Sequence, residues 1–162
     1  VREWLRLMNL PYSDFTAGAA KQPLLELAGW PLGVSICYEA VFGEELIADL
    51  PQAALLVNVS NDAWFGDSIG PHQHFQIARM RARETERWLL RATNTGITAA
   101  VDPSGRSVAQ LPQFEAGVLR VSAEPRRGAT PYVKGGNVPV VLGLLLALAA
   151  GLGMRRGTRG GA

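Results

Sequence analysis

The chain has 162 residues, 48% of them apolar and 19% charged, which is enough length and apolar content for a buried core and excludes intrinsic disorder. Its formal net charge of +2 is local: Arg155, Arg156 and Arg159 fall in the last eight residues, and the remainder carries 13 basic against 14 acidic side chains. That balance excludes a basic nucleic-acid-binding domain, and a single cysteine, Cys37, excludes an internal disulfide framework or a multi-cysteine zinc site.

In chain order, Leu32 to Ile36 (LGVSI) is a short apolar β-type run ending at Cys37. Glu39 to Leu50 places Val41, Phe42, Leu46, Ile47 and Leu50 at helical spacing and stops at Pro51. Ala53 to Val59 is a second strand candidate running into the polar turn Ser60-Asn61-Asp62, followed by a loop with Trp64 and Phe65 among turn formers. His72 to Thr93 reads as one long helix, and Gly96 to Val101 as a strand closed by Asp102-Pro103-Ser104-Gly105. Ser107 to Leu111 and Gly117 to Val121 would add a strand pair. This alternation of strands and helices predicts an α/β layered sheet.

The tail differs in kind. Val138 to Met154 (VPVVLGLLLALAAGLGM) carries no charged or hydrogen-bonding side chain, and its 17 residues would span about 26 Å as a helix against a hydrocarbon core of roughly 30 Å. Apolar residues run all round it and Arg155 and Arg156 follow at once, the pattern of a transmembrane helix with a cytoplasmic basic end, which puts residues before 137 on the other side. The expected division is therefore 1–136 as a globular part, 137–154 as the membrane helix and 155–162 as a basic tail. A buried core helix is the alternative for the apolar run.

Cys37 stands between a strand and a helix, where a tight turn lifts a side chain off the sheet. Helix starts favour thiolates in general, so the position suits a nucleophile; a lone cysteine on an apolar run also suits a small core residue. Glu39 could support the thiol or simply be an acid in a first helical turn. His72 and His74 form an H-x-H pair that a helix would point apart, with no third ligand nearby, so no metal site is expected. Arg79, Arg81, Arg83, Arg87 and Arg91 spread over more than one side of the expected helix and read as solvated or ion-paired. Asn58-Val59-Ser60 fits a glycosylation sequon but falls in an expected buried strand. Trp64 and Phe65, large apolar residues in a glycine-rich loop, suit contact with lipid or a partner.

The segments GVSICYEAVFGEEL, LLVNVSNDAWFGDSIGPHQHFQIARMRARE and LLRATNTGITAAVDPSGR resemble the C-terminal half of the nitrilase superfamily. With TPYVKGGNVP and the final apolar helix they resemble, within it, the apolipoprotein N-acyltransferase family of bacterial membrane enzymes. The resemblance implies half of a nitrilase-like α/β sandwich followed by one transmembrane helix. It also implies a Glu-Lys-Cys site that works without cofactor or metal. A cysteine takes an acyl chain from a phospholipid as a thioester and passes it to the N-terminal amine of a diacylglyceryl-cysteine on an apolipoprotein, on the periplasmic side of the inner membrane, in a monomer that binds no nucleic acid. By this resemblance Cys37 is the nucleophile, the Tyr38 backbone N–H an oxyanion donor, Glu39 a carboxylate kept beside the thiol, and Trp64 and Phe65 contact substrate.

The family's base and lysine lie well before its cysteine, whereas only 36 residues precede Cys37 and neither Lys21 nor Lys134 stands in a matching motif. The chain, which begins at Val1, is therefore expected to be a C-terminal piece, inert without the base, the lysine and the membrane helices upstream, and exposing surface that the missing half-sandwich covers. A membrane-tethered amidase acting on small amides and a non-catalytic membrane-anchored domain are the competing readings.

Overall fold

The computed structural model describes residues 18–19 and 22–159, with side chains as far as Leu152. Lys21 and the basic tail expected at 155–162 lie outside the residues whose side chains are described. Among the described residues six strands form one mixed sheet in sequential order: β1 (Leu25–Leu27), β2 (Trp30–Ile36), β3 (Leu55–Ser60), β4 (Leu89–Thr93), β5 (Ala99–Val101) and β6 (Ser107–Gln110). Strands β2, β3 and β4 are parallel, and β1 and β5–β6 extend the sheet antiparallel on either side. The expected α/β class holds, with a mixed sheet.

Strand β1 was not expected. Only three residues long, it pairs with β2 through the two-residue loop Ala28-Gly29, in which both residues have positive φ, the geometry that matches hairpin twist. Gly117 to Val121, expected as a strand, is irregular and its Val118 is exposed. The chain has left the sheet after β6 and returns to hydrogen-bond at Arg126, whose N–H donates to the Ala54 carbonyl.

Two crossovers connect the parallel strands. The segment after β2, expected as one helix over 39–50, is three short pieces: a 3₁₀ turn Cys37–Val41, α1 (Gly43–Leu46) and a 3₁₀ turn Ile47–Asp49. It breaks at Phe42, whose ψ of 86° is not helical. Gly43 then sits so close to the ends of Arg81 and Tyr132 that a Cβ would collide with both. The second crossover, α2 (Gly70–Thr85), ends eight residues earlier than expected and the chain re-enters the sheet as β4. The cause is local. Glu86 turns left-handed (φ 51°), its N–H reaching the Arg83 carbonyl and the Arg87 N–H reaching Ala82, a Schellman arrangement made without the glycine that usually signals one.

The core lies between α2 and one face of the sheet, with Phe75, Ala78 and Ala82 of the helix against Leu56, Leu89, Ala99 and Val101 of the strands. The other face carries Val34, Ile36, Val59 and Ala92, all exposed. Arg87, expected in the solvated set, is 2% exposed and donates to the carbonyls of Ala53, Pro51, Thr85 and Gly128, tying the start of β3, the end of α2 and the returning chain together. Burial lowers its pKa, and so does the nearby charge of Arg126, although Glu86 acts in the other direction.

Beyond the sheet, α3 (Pro131–Gly135) is capped by Thr130, whose hydroxyl accepts from the Val133 N–H and donates to the Glu84 carbonyl. Tyr132 accepts a hydrogen bond from Arg81 of α2, and the Asn137 N–H donates to Glu44 of α1. The entry to the last helix, α4 (Val138–Arg159), is thus fastened to both crossovers. Among the described residues no helix is long and apolar enough to cross a membrane. The described side chains of α4 stop at Leu152, short of Met154, where the expected span ends.

Arg87→Ala is expected to cost about 2–4 kcal/mol, because it leaves buried carbonyls without a donor; the shift in denaturation midpoint measures it. Asp102 closes the turn before β6, accepting from the N–H and hydroxyl of Ser104 and from the N–H and Nε of Arg106. Burial raises its pKa, but these bonds outweigh that and lower it to about 2. A carboxyl so depressed stabilises the fold above its unfolded pKa and loses that contribution as pH falls through the folded one. Asp102→Ala should therefore be less stable than the parent at neutral pH, the gap closing between about pH 4 and pH 2 in acid-unfolding curves.

Candidate active site

The three parallel strands end side by side, and the residues that follow each of them meet: Cys37 after β2, Asn61 and Asp62 after β3, and Asn94 after β4. The crevice beyond the carboxyl ends of parallel strands is where open α/β sheets bind ligands. Cys37 has φ of 53°, the left-handed region that costs a non-glycine residue roughly 1–2 kcal/mol. The chain turns sharply there and leaves Cys37 half-buried, its Sγ 4.0 Å from the Asn61 carbonyl oxygen. Asn61 and Asn94 brace the rim, with Asn94 Nδ2 donating to Asn61 Oδ1 at 2.6 Å and the Asp62 N–H donating to Asn94 Oδ1.

Beneath the cysteine lies a buried polar network that sequence reading did not assemble. Asp62 and Arg91 form an ion pair at 2.8 Å with both side chains at 0% exposure. Arg91 also donates through Nη1 to Asn58 Oδ1. Because a guanidinium can only donate, this fixes the Asn58 amide so that Nδ2 faces away, its two hydrogens shared among the Ser35 carbonyl, the Ser35 hydroxyl and the Cys37 carbonyl, the last at 3.3 Å. His74, buried in α2, directs Nε2 at the same Cys37 carbonyl at 3.2 Å. A carbonyl only accepts, so Nε2 bears the proton. Nδ1 stands between Asp62 Oδ1 at 3.1 Å and Arg91 Nη2 at 3.0 Å, of which one at a time can be its hydrogen-bond partner.

The charges in this network constrain one another. Burial raises the Asp62 pKa, but the hydrogen bond from Ser60 and the positive charge of Arg91 outweigh it and hold the carboxyl below its usual range. Burial also lowers the Arg91 pKa, and the Asp62 carboxylate resists that shift. Gly96 lets the β4–β5 loop close over Asp62, since a Cβ there would strike its carboxylate.

The expected site residues separate into groups. Cys37, Tyr38 and Glu39 are consecutive in the 3₁₀ turn Cys37–Val41. Glu39 is exposed, and its Oε2 accepts from the Ile36 N–H at 2.6 Å, so in the described residues it clamps the turn from outside. Tyr38 has its ring exposed, edge-on to Phe42 and 6.1 Å from His74. Its N–H lies in the first turn, where backbone donors have no partner within the helix. Trp64 is 77% exposed in a 3₁₀ turn, whereas Phe65 packs edge-on against His74 at 6.0 Å. Two neighbours in sequence therefore do different work, one covering the network and the other presenting a large apolar surface to the outside.

Arg91 departs from the expectation, and His74 has a role that the expectation did not include. Taken as one more arginine of a helix, Arg91 is on β4, 2% exposed, pointing inward opposite Asn58 and Ala99. The sequence LLRAT has no alternation of polarity to signal this; the alternation appears only in the burial of the folded strand. His74, for which no metal role was expected, stands beside an acid and a carbonyl. Asn58, the asparagine of the sequon, is fully buried with its amide hydrogen-bonded.

Residues 6–131 match the carbon-nitrogen hydrolase family, and the chain belongs to that family. More narrowly, it is 56% identical over 137 residues to the apolipoprotein N-acyltransferase of Methylococcus capsulatus, covering 85% of this chain and 27% of that protein. It is also 56% identical over 155 residues to the enzyme of the same name from Nitrosomonas europaea, covering 93% and 31%. The chain thus spans less than a third of the length of these relatives. Among solved structures, the NitFhit protein of C. elegans superposes with a TM-score of 0.55 at 28% identity, over 64% of this chain and 27% of that one. A carbon-nitrogen hydrolase from Helicobacter pylori gives 0.56 at 16% identity, over 64% and 44%, a likeness of fold alone.

Arg91→Met is expected to destabilise by about 3–5 kcal/mol, because it strands a buried carboxylate, and Asp62→Asn added to it should recover part of the loss by removing the second charge. Denaturation midpoints of the two single variants and the double variant test both statements.

Proposed function

We infer that this chain is the nucleophile-bearing part of an acyltransferase that moves an acyl chain from a phospholipid to the N-terminal amine of a diacylglyceryl-cysteine on a bacterial apolipoprotein. The carrying observation is the elbow at Cys37: the one cysteine of the chain stands at positive φ beyond a parallel strand, with its own carbonyl tied down behind it. The relatives' names supply the acyl transfer and the apolipoprotein acceptor, and the elbow is the chemistry that such a transfer needs.

In this reading the Cys37 thiol gives its proton to a base on a preceding segment, and Sγ attacks the ester carbonyl of the phospholipid. An S–C bond forms, the carbonyl electrons move to oxygen, and collapse breaks the ester C–O bond; the lysophospholipid alkoxide leaves with the proton from the base. The apolipoprotein amine then attacks the thioester carbonyl, a C–N bond forms to give a second tetrahedral intermediate, its collapse breaks the C–S bond, and the amine's proton returns to the thiolate. The Tyr38 N–H donates to the oxyanion of both tetrahedral intermediates, the preorganised contact that contributes most in acyl transfer.

The acyl donor is a membrane lipid, and α4 supports an attachment there. Leu142, Leu144, Leu145, Leu146 and Leu148 are all exposed. Residues 137–154 are assigned to the bilayer, 1–136 to the periplasmic side of the inner membrane and 155–162 to the cytoplasm, on the positive charge of the tail. Exposed Trp64 is assigned to the lipid substrate; Phe65, on the network side, shapes the floor.

The test uses the full-length polypeptide that carries this chain, in vesicles of a phospholipid with a labelled acyl chain. The label should appear on Cys37 as a hydroxylamine-sensitive thioester and move to a diacylglyceryl-cysteine peptide, and Cys37→Ala should lower transfer by at least about 10³-fold. Transfer by Cys37→Ala near the parent rate would overturn the reading. Release of ammonia from small amides, with no thioester formed from phospholipid, would replace it with a tethered amidase.

A further inference from the structure

The acyl transfer proposed at Cys37 uses the thiol and the Tyr38 N–H, and four buried polar side chains, Asn58, Asp62, His74 and Arg91, take no direct part in it. Burying an ion pair, an imidazole and a carboxamide in place of apolar residues gains little stability as a rule, since desolvation offsets the attraction. What the four have in common is geometric. Two of them, Asn58 from β3 and His74 from α2, approach the same oxygen, the carbonyl of Cys37, at 3.3 and 3.2 Å. The other two hold the first two: Arg91 from β4 donates to Asn58 and to Asp62, and Asp62 and Arg91 flank His74 Nδ1.

The Cys37 carbonyl belongs to the same planar unit as the Tyr38 N–H. In a trans peptide the oxygen and the amide hydrogen point in opposite directions. Two donors approaching the oxygen from the core side therefore aim the N–H away from the core. They also polarise the amide, and a donor whose own carbonyl accepts hydrogen bonds is a stronger donor. Resting on the acyltransfer reading, we propose that Asn58 and His74, set by the buried Arg91–Asp62 pair, are positioning residues that orient and polarise the Cys37–Tyr38 peptide as the oxyanion donor. The positive φ of Cys37 fits this role. A left-handed residue relaxes if it can, and the paired grip on its carbonyl is what the structure offers to oppose relaxation.

The role separates two reactions of one sulfur. Acylation by an ester passes through an oxyanion; alkylation by iodoacetamide does not. In the full-length polypeptide carrying this chain, single-turnover acylation of Cys37 from phospholipid vesicles and its alkylation by iodoacetamide are measured side by side. His74→Ala should slow acylation by about 10- to 10²-fold, less than the roughly 10²–10³ for deleting an oxyanion donor outright, while alkylation stays within about threefold. His74→Gln, whose amide can donate to the same carbonyl, should recover most of the loss. Asn58→Ala removes the other donor to the same carbonyl and stands in where His74→Ala does not fold.

Acylation at the parent rate in both alanine variants would overturn the proposal. So would equal loss of acylation and alkylation, or a glutamine variant no better than alanine, since each marks a structural role alone. Cys37→Ala, run in parallel, keeps the two readings apart. If it still transfers acyl groups, the acyltransfer reading fails; if it is inert while His74→Ala and Asn58→Ala acylate normally, only the positioning role fails.

Discussion

The buried ion pair between Arg91 and Asp62 is the constraint on which the site end of this molecule depends. It joins the strand β4 to the turn after β3, with both partners removed from solvent, and neither charge could be left there alone. Each remaining polar group near it takes its orientation from the pair. Arg91 can only donate and so sets the Asn58 amide; Asp62 and Arg91 together face one nitrogen of His74, whose other nitrogen meets the Cys37 carbonyl. The apolar core between α2 and the sheet holds these three strands and the helix close enough for the pair to form.

This arrangement explains why the proposed nucleophile sits in an unfavourable backbone conformation without the turn unwinding. The positive φ of Cys37 is opposed on the inside by two donors to its carbonyl and on the outside by Glu39, which accepts from the N–H of Ile36. The grip therefore comes from elements far apart in sequence, and the chemistry proposed at Cys37 rests on them as much as on the thiol. The same crossover is tied to the far end of the chain, where Asn137 donates to Glu44 just before α4. In the proposed enzyme this link would hold the catalytic turn at a set distance from the bilayer.

The bare face of the sheet has a comparable logic. Val34, Ile36, Val59 and Ala92 alternate with the core-facing residues Gly33, Ser35, Asn58 and Arg91, so the face away from the core is apolar at these positions yet open. A sheet with two apolar faces is built to be covered on both. This agrees with a chain that spans less than a third of its relatives' length.

Much of the layout was legible in the residues. LGVSI and LLVNV were read as strands because short apolar runs bounded by turns leave few alternatives, and the ICYE turn marked Cys37 as the candidate nucleophile. Where reading failed, long-range partners had decided. The helix expected to reach Thr93 stops at Thr85 because Glu86 adopts a left-handed turn with no glycine to announce it, and only the pairing of Leu89 to Thr93 with β3 makes that segment a strand. Arg91 looked like one more solvated arginine because its partners, Asn58 and Asp62, lie 33 and 29 residues away. The sequence by itself determined the alternation of elements, the lone cysteine at a strand end and the apolar tail, all of which are local patterns of hydrophobicity and turn chemistry. Only the tertiary structure decided which polar side chains are buried together and which oxygen they hold, because the desolvation that forces them to pair exists only once the strands and helix have closed around them.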